Sequence, residues 1–503
     1  ASTACSASFS AGTSVTLTPT PISGYTFSGW GGACTGTSPC VVSMSAAKSV
    51  TASFASTTVT TGRTFYVSPA GSDTSAGTSL SAPFKTIAKA VNTVVAGDVI
   101  EVRAGTYNET VLPRTAGTAA AWITLRGYNG ERPIVRGSGA GPTMYFYRDE
   151  CDESVIGTGT GNTDCKAMYW VVQGLEIRGS ASGGGDGNAV KIDTPKVKLV
   201  GNRVCCSVAD VVKLVRTSND VEILDNEVWQ DRAITVPSDN AQGIDIVGAD
   251  RTRVAGNYIH DVPDIAVYAK GNSRNTVFEN NLLINIGGSV NGHALMLGQS
   301  TDADRVVDGV YETYDGIIRN NVVVGSTWAC LATSSSIRVK IYNNSCYNTG
   351  TITHGSILLS NESELGTPGS DIEIYNNIIY GSANNPVIRI TSGAMSDYKT
   401  LKIDKNLYYI GGGDPQFSSS DHFNQIGLAQ WRTQYQTLSG GRSDTSLSAD
   451  PKFASTAGST ALTLQSTSPA INAGVTNATV VPLDRRGIAR PQGGSTDIGA
   501  YEY

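Results

Sequence analysis

VKLVGN (197–202), VEILDN (221–226), TRVAGN (252–257) and TVFENN (276–281) carry one message, a β-branched run that ends in asparagine. It continues as GIIRNN (316–321), VKIYNN (339–344), IEIYNN (372–377) and LKIDKN (401–406). The shortest spacings between the terminal asparagines are 23–24 residues, about one turn of a parallel β-solenoid. Wider gaps, such as 281 to 321, are read as loops that bulge from one corner. An asparagine at a fixed corner tolerates a left-handed backbone and can bond its equivalents above and below. Asn202, Asn226, Asn257, Asn281, Asn321, Asn344, Asn377 and Asn406 are therefore assigned to structure. The fold expected is all-β, a right-handed parallel β-helix.

Composition agrees. At 503 residues the chain exceeds what one compact core usually serves, whereas each repeat of a solenoid packs only on its neighbours. Charged residues are 16%, below the roughly 25% of ordinary domains, and glycine is abundant at 56. A net charge of −6 offers no broad basic face for nucleic acid. No apolar run approaches the ~18 residues of a membrane span. The sequence starts inside a repeat with no signal peptide, and is read as processed or trimmed from a secreted, monomeric protein.

Nine cysteines and four histidines show no zinc spacing. Cys34/Cys40 and Cys151/Cys165 bracket short polar loops, which predicts disulfides in an oxidising compartment. Cys330 and Cys346 are expected to pair across adjacent strands. Cys5, Cys205 and Cys206 are left unassigned.

Each turn holds a second strand: NAVKID (188–193), DVVKLV (210–215), QGIDIV (242–247), IAVYAK (265–270) and HALMLG (293–298). Alternation sends Val190/Ile192, Val212/Leu214, Ile244/Ile246 and Val267/Ala269 inward. The outward face then stacks Lys191, Lys213, Asp245 and Tyr268 in a column, with Asp193, Val215, Val247 and Lys270 two residues on. Long insertions before residues 242 and 293 are expected to wall this face into a groove. One reading of the column is an exposed Lys213–Asp245 ion pair worth under ~1 kcal/mol; the other is a site. Lys270 or Lys213 would then be a base, and Tyr268, Lys191, Trp229, Arg232 and His293 substrate contacts. Asp210, Asp231, Asp239, Asp245 and Asp264 crowd the region, and converging oxygens suit Ca²⁺, which takes six to eight. His260 and Asp261 form a further candidate acid–base unit, or a corner cap.

Residues 1–56, with GYTFSGW, a cysteine-bracketed turn and a closing VTASF strand, resemble the InlB B-repeat modules of bacterial surface and secreted proteins, which implies a stalk or spacer, or a weak binder. Residues 57–63 (TTVTTGR) read as a linker and 64–503 as the β-helix. Within it, 64–110 form the cap, about 111–412 the coils and 413–503 a closing segment. The cap, YVSPAGSD…PFKTIAKA…GDVIEVRAGTYNE with a short helix near Phe84–Val94, resembles the opening cap of many bacterial right-handed β-helix enzymes. The tail DPKFASTAGST…DIGAYEY resembles their closing segment.

The coil region resembles polysaccharide lyase family 9, calcium-dependent enzymes of pectate-lyase type with a lysine base. The family's DDGxD-like motif falls on Ala241-Gln242-Gly243-Ile244-Asp245, with Asp210 one turn earlier. Asp245 and Asp210 match; Ala241 and Gln242 replace two carboxylates, and Lys270 is the nearest counterpart of the lysine. The resemblance implies β-elimination on an acidic polysaccharide. A β-helix hydrolase pairing Asp245 with Asp264 or Asp231, or a non-catalytic glycan-binding adhesin, remain the alternatives.

Overall fold

The computed structural model describes residues 9–19, 25–37, 40–56, 62–147, 167–179, 187–231, 240–288, 292–302, 306, 309–361, 364–477 and 479–503. The chain divides into two compact units, residues 1–62 with 119–121, and 63–118 with 122–503. In the first, Ser14–Leu17 pairs antiparallel with Cys40–Ser43, and Tyr25–Gly32 with Val50–Ser56. So short a segment buries little apolar surface. It relies instead on a Cys34–Cys40 disulfide and on Phe27, whose ring centroid lies 4.9 Å from Trp30 and 5.6 Å from Phe54.

The second unit is a right-handed parallel β-helix of three long sheets. One turn runs Val197–Val200, a corner at Asn202, Arg203–Cys205, a loop, then Val212–Leu214. Each strand pairs in parallel with its counterpart one turn on, so every turn meets the next in register. Alternation sends Val190, Ile192, Val212, Leu214, Ile244, Ile246, Val267 and Ala269 inward, all fully buried.

The asparagines align at one corner, and each is buried. The backbone N–H of Asn202 donates to Asn226 Oδ1 at 2.9 Å, Asn226 to Asn257 at 2.9 Å, and Asn257 to Asn281 at 3.0 Å. The series continues through Asn321, Asn344 and Asn377 to Asn406. Each Nδ2 returns a bond to a carbonyl of the preceding turn, as Asn281 does to Val254 O at 2.9 Å. One detail corrects the sequence reading. The left-handed residue is the one before the ladder asparagine: Gly201, Asp225, Gly256, Asn280, Asn320, Asn343, Asn376 and Lys405, with φ between 53° and 69°. The turn is made there, and the following asparagine is freed to bond along the stack.

The opening helix is shorter than expected, Ile87–Val91. Thr86 caps it, and Glu109 accepts from the N–H groups of Ile87 and Ala88. The far end is closed by a second helix, Leu428–Leu438, not anticipated from the sequence. Its Trp431 stacks on Phe417 at 4.9 Å, and Tyr435 donates to Leu401 O, covering the last turn. Cys330–Cys346 is bonded, but between the residue entering the strand Leu331–Ser334 and the strand Ser345–Thr349 of a different sheet. Cys205 and its neighbour Cys206 also form a disulfide. Cys5, Cys151 and Cys165 lie outside the described residues, so the Cys151–Cys165 pairing is not addressed.

Candidate active site

The sheet containing Val212–Leu214 carries the outward column. Tyr145, Lys191, Lys213, Asp245 and Tyr268 are consecutive partners in its register, followed by Met296 and Ala332. Beyond Tyr268 the column turns apolar, with Met296, Ala332 and Leu358 joining Ile265 and Ala329 in a buried cluster, and becomes polar again at Arg389. The column is closed to solvent at Asp245 and Tyr268, 1% and 3% exposed, whereas Tyr145, Lys191 and Lys213 are half-buried.

Lys213 links two turns. Its Nζ lies 3.1 Å from Asp210 Oδ2 and also bonds Asp245 Oδ2. Asp210 sits three residues before Lys213, where the chain enters the strand, and is as buried as Asp245. Each carboxylate spends one oxygen on the amine and leaves Oδ1 buried without a hydrogen-bond partner. Burial first, and then the charge of Asp245, push the Asp210 carboxyl up to about 7. Burial opposes the charge on Lys213, but Asp245 and Asp210 outweigh it and hold the amine above the ordinary lysine value. Burial, reinforced by Asp245 and Asp210, raises the Tyr268 phenol well above its usual range.

Lys270 stands beside this cluster. Its Nζ lies 5.3 Å from the Tyr268 ring centroid and donates to Ser300 O at 3.2 Å. The backbone after it is fixed by Glu312, fully buried, which accepts from Gly271 N and from both Thr301 N and Oγ1. Gly271 is left-handed (φ 66°), so the chain turns away there and leaves Lys270 at the strand end. Lys191 closes the other end, its Nζ 5.4 Å from the Tyr145 ring centroid.

The remaining candidates divide. Asp264 is drawn in: Gln242 donates to its Oδ2 at 2.7 Å, and Ile265 N to its Oδ1. The sequence reading took Gln242 only as a missing carboxylate; what it does is hold the carboxylate of the next turn. Trp229 lies on a different sheet, stacked on His260 and under the Arg203 guanidinium. His260 bonds Asp261 and Glu227, and Asp261 is a left-handed residue within the strand Tyr258–Val262, tied to Asn285. Asp231 is exposed just beyond the Trp229 strand. His293 is buried against Trp328 and His354 at 5.1 and 5.6 Å, and burial pushes it down to about 3, so it is neutral. Arg232 and Asp239 lie outside the described residues.

Among the described residues the donor set does not make a calcium site. Among the described residues no three His, Cys, Asp or Glu side chains converge on one point. Asp210 and Asp245 face each other across the Lys213 amine, Gln242 is committed to Asp264, and Ala241 is apolar. Two carboxylates with an ammonium between them fall well short of the six to eight oxygens of calcium.

Residues 65–261 match the family model of the Pel9A-like, right handed beta helix region, and residues 1–58 that of the divergent InlB B-repeat domain. The first match includes Asp210, Lys213 and Asp245 and ends before Tyr268 and Lys270. Pectate lyase PEL9 of Emericella nidulans is 36% identical over 117 residues, 22% of this chain and 27% of the relative. The uncharacterized protein YwoF of Bacillus subtilis is 31% identical over 122 residues, 23% of this chain and 26% of the relative. The chain thus spans about a quarter of the length of these curated relatives. Among solved structures, pectate lyase Pel9A superposes with a TM-score of 0.58 at 15% identity, covering 89% of this chain and 98% of its own. XylC in complex with xylose gives 0.51 at 13%, covering 87% and 98%. At these identities the likeness is one of fold.

Proposed function

We propose that the chain is an extracellular polysaccharide lyase that cleaves an acidic, uronic-acid polysaccharide by β-elimination, with Lys270 as the proton-abstracting base. The observation that carries this reading is the register of one sheet, which stacks Lys191, Lys213, Asp245 and Tyr268 and sets Lys270 beside Tyr268. The Pel9A-like match over 65–261 and the local likeness to a pectate lyase support it. The disulfides suit an oxidising, extracellular setting.

In a uronic-acid chain the C5 proton is acidic because the carboxylate is α to it. Its removal forms the C4–C5 double bond and expels the oxygen on C4. Charge builds on the substrate carboxylate as the proton leaves, so a cation has to meet it. Lys191, at the end of the column, is the residue for that contact. Lys213 is held protonated by Asp210 and Asp245, and a protonated amine donates rather than abstracts. The base role therefore falls to Lys270. Calcium assistance, expected from the sequence, forms no part of this reading, because the Lys213 amine already stands between the two carboxylates.

A hydrolase reading draws on one observation. Asp210, held near 7 beside a second carboxylate, is suited to deliver a proton to a leaving oxygen. The two readings separate on pectate, alginate, glucuronan and neutral glycans, each assayed with and without chelator. The lyase gives ultraviolet-absorbing unsaturated ends from an acidic polymer only. New reducing ends without absorbance would replace it by the hydrolase, and no release from any glycan by a binding role.

A further inference from the structure

We propose that Lys213 is the catalytic acid of the elimination, its ammonium giving a proton to the oxygen expelled from C4 while Lys270 takes the proton from C5. The inference rests on the lyase reading and supplies the half of the reaction that a base alone leaves open. Without a proton the oxygen on C4 would have to depart as an alkoxide, so a donor has to meet it. An ammonium carries three N–H donors. The Lys213 amine spends one on Asp210 Oδ2 and one on Asp245 Oδ2, and none of the described residues accepts from the third. The side chains of Asp210 and Asp245 are 2% and 1% exposed, whereas that of Lys213 is 23% exposed. The amine is thus the member of this cluster that a substrate can reach, held in place by two buried acceptors. Tyr268, the other proton carrier of the column, is buried and faces Asp245 across the register.

The two lysines are spaced for neighbouring atoms of one sugar. The Lys213 amine is drawn to the turn that carries Asp245, and Lys270 belongs to the next turn, one rung or ~4.8 Å along the stack. In the step itself the C5–H electron pair becomes the second bond between C4 and C5, and the C4–O pair leaves with the oxygen. Lys270 gains a proton and Lys213 loses one, and exchange with water restores both. Burial alone would lower the Lys213 amine, but Asp245 and Asp210 outweigh it and hold it above the ordinary lysine value. The amine therefore keeps its proton while substrate binds and yields it to a base as strong as a departing alkoxide. Asp210, pushed up to about 7 by burial and by the charge of Asp245, is placed to return a proton to it.

The test compares two substrates at saturation, an oligouronate and a uronide carrying fluorine at C4, from which fluoride leaves without a proton. The full chain, Lys213→Gln, Lys213→Arg and Lys270→Ala are followed by the absorbance of the new double bond and, on the second substrate, by released fluoride. Gln keeps N–H donors without the charge, and Arg keeps the charge between the carboxylates yet does not give up a proton. Both Lys213 variants are expected to lose roughly 10²–10⁴ in kcat on the oligouronate and less than about tenfold on the fluoride, whereas Lys270→Ala fails on both. Near-parent turnover of the oligouronate by Lys213→Arg would show that a fixed cation is enough and would overturn the inference. Equal loss on both substrates would overturn it too, by reducing Lys213 to a structural role. So would a parent that cleaves the oligouronate yet leaves the C4 fluoride intact, since Lys270 alone should suffice there. Should Lys213→Gln fail to fold, Lys213→Arg carries the same comparison. A parent inactive on every acidic glycan removes the lyase reading itself, and the inference with it.

Discussion

Asn281→Ala removes one rung of the corner ladder, and the structure sets the size of the effect. Asn281 Oδ1 accepts from Asn257 N at 3.0 Å and from Asn257 Nδ2 at 2.9 Å, and its Nδ2 donates to Val254 O and to Asn321 Oδ1. Truncation leaves Asn257 Nδ2 its bond to Ile223 O and leaves Asn321 Oδ1 the backbone N–H of residue 281. The Asn257 N–H, at a residue with no exposed surface, loses the partner it has here. A buried donor without a partner costs ~1–3 kcal/mol, so with the small void an overall loss of about 3 kcal/mol is expected. Asn280→Gly, one residue earlier, is the control. Its φ of 58° suits glycine, so it should change stability by less than about 1 kcal/mol. A solenoid need not unfold in one step, so urea denaturation is paired with native-state hydrogen exchange at the Asn257 amide. Exchange there should accelerate in Asn281→Ala and not in Asn280→Gly. A loss under about 0.5 kcal/mol with the Asn257 amide still protected would refute the ladder as a source of stability.

Lys270→Ala should lower kcat on the best acidic substrate by roughly 10²–10⁴ with little change in binding; near-parent turnover would remove the base assignment. Asp210 titrates near 7 when folded and in the ordinary carboxylate range when unfolded. The folded state therefore keeps a proton that the unfolded chain has released. Stability should fall as pH rises through that window, and Asp210→Asn should flatten the slope; an unchanged slope in thermal melts would count against the burial of Asp210. Cys330–Cys346 closes a loop with a sequence separation of 16, so its removal by paired serine substitution should cost about 3 kcal/mol in denaturant unfolding. Non-reducing peptide mapping should recover Cys34–Cys40, Cys205–Cys206 and Cys330–Cys346 as bonded pairs, and free thiols at these positions would contradict the oxidising-compartment reading.

What the sequence determined by itself was periodic. The asparagine spacing and the two-residue alternation are local and repeated, so the coil, the inward residues and the order Lys191, Lys213, Asp245, Tyr268 could be read before any coordinates. Register on a parallel stack then follows from one turn to the next, because a slip by one residue would expose every core side chain. Tertiary structure decided what repetition does not encode. The left-handed residue proved to precede the asparagine, because one residue makes the turn while the next bonds along the stack. The closing helix was missed because Trp431 and Tyr435 bury against the stack end, a surface that exists only once the coils have formed. Of the expected substrate contacts, Trp229 lies on another sheet and His293 packs among aromatic rings, placements that only the folded coils decide. The amine of Lys213 meets Asp210 on its own turn and Asp245 on the next, a contact of 32 residues in sequence. Its consequence, a protonated lysine between two buried carboxylates, depends on the depth at which Asp210 and Asp245 lie, and only the folded chain sets that depth.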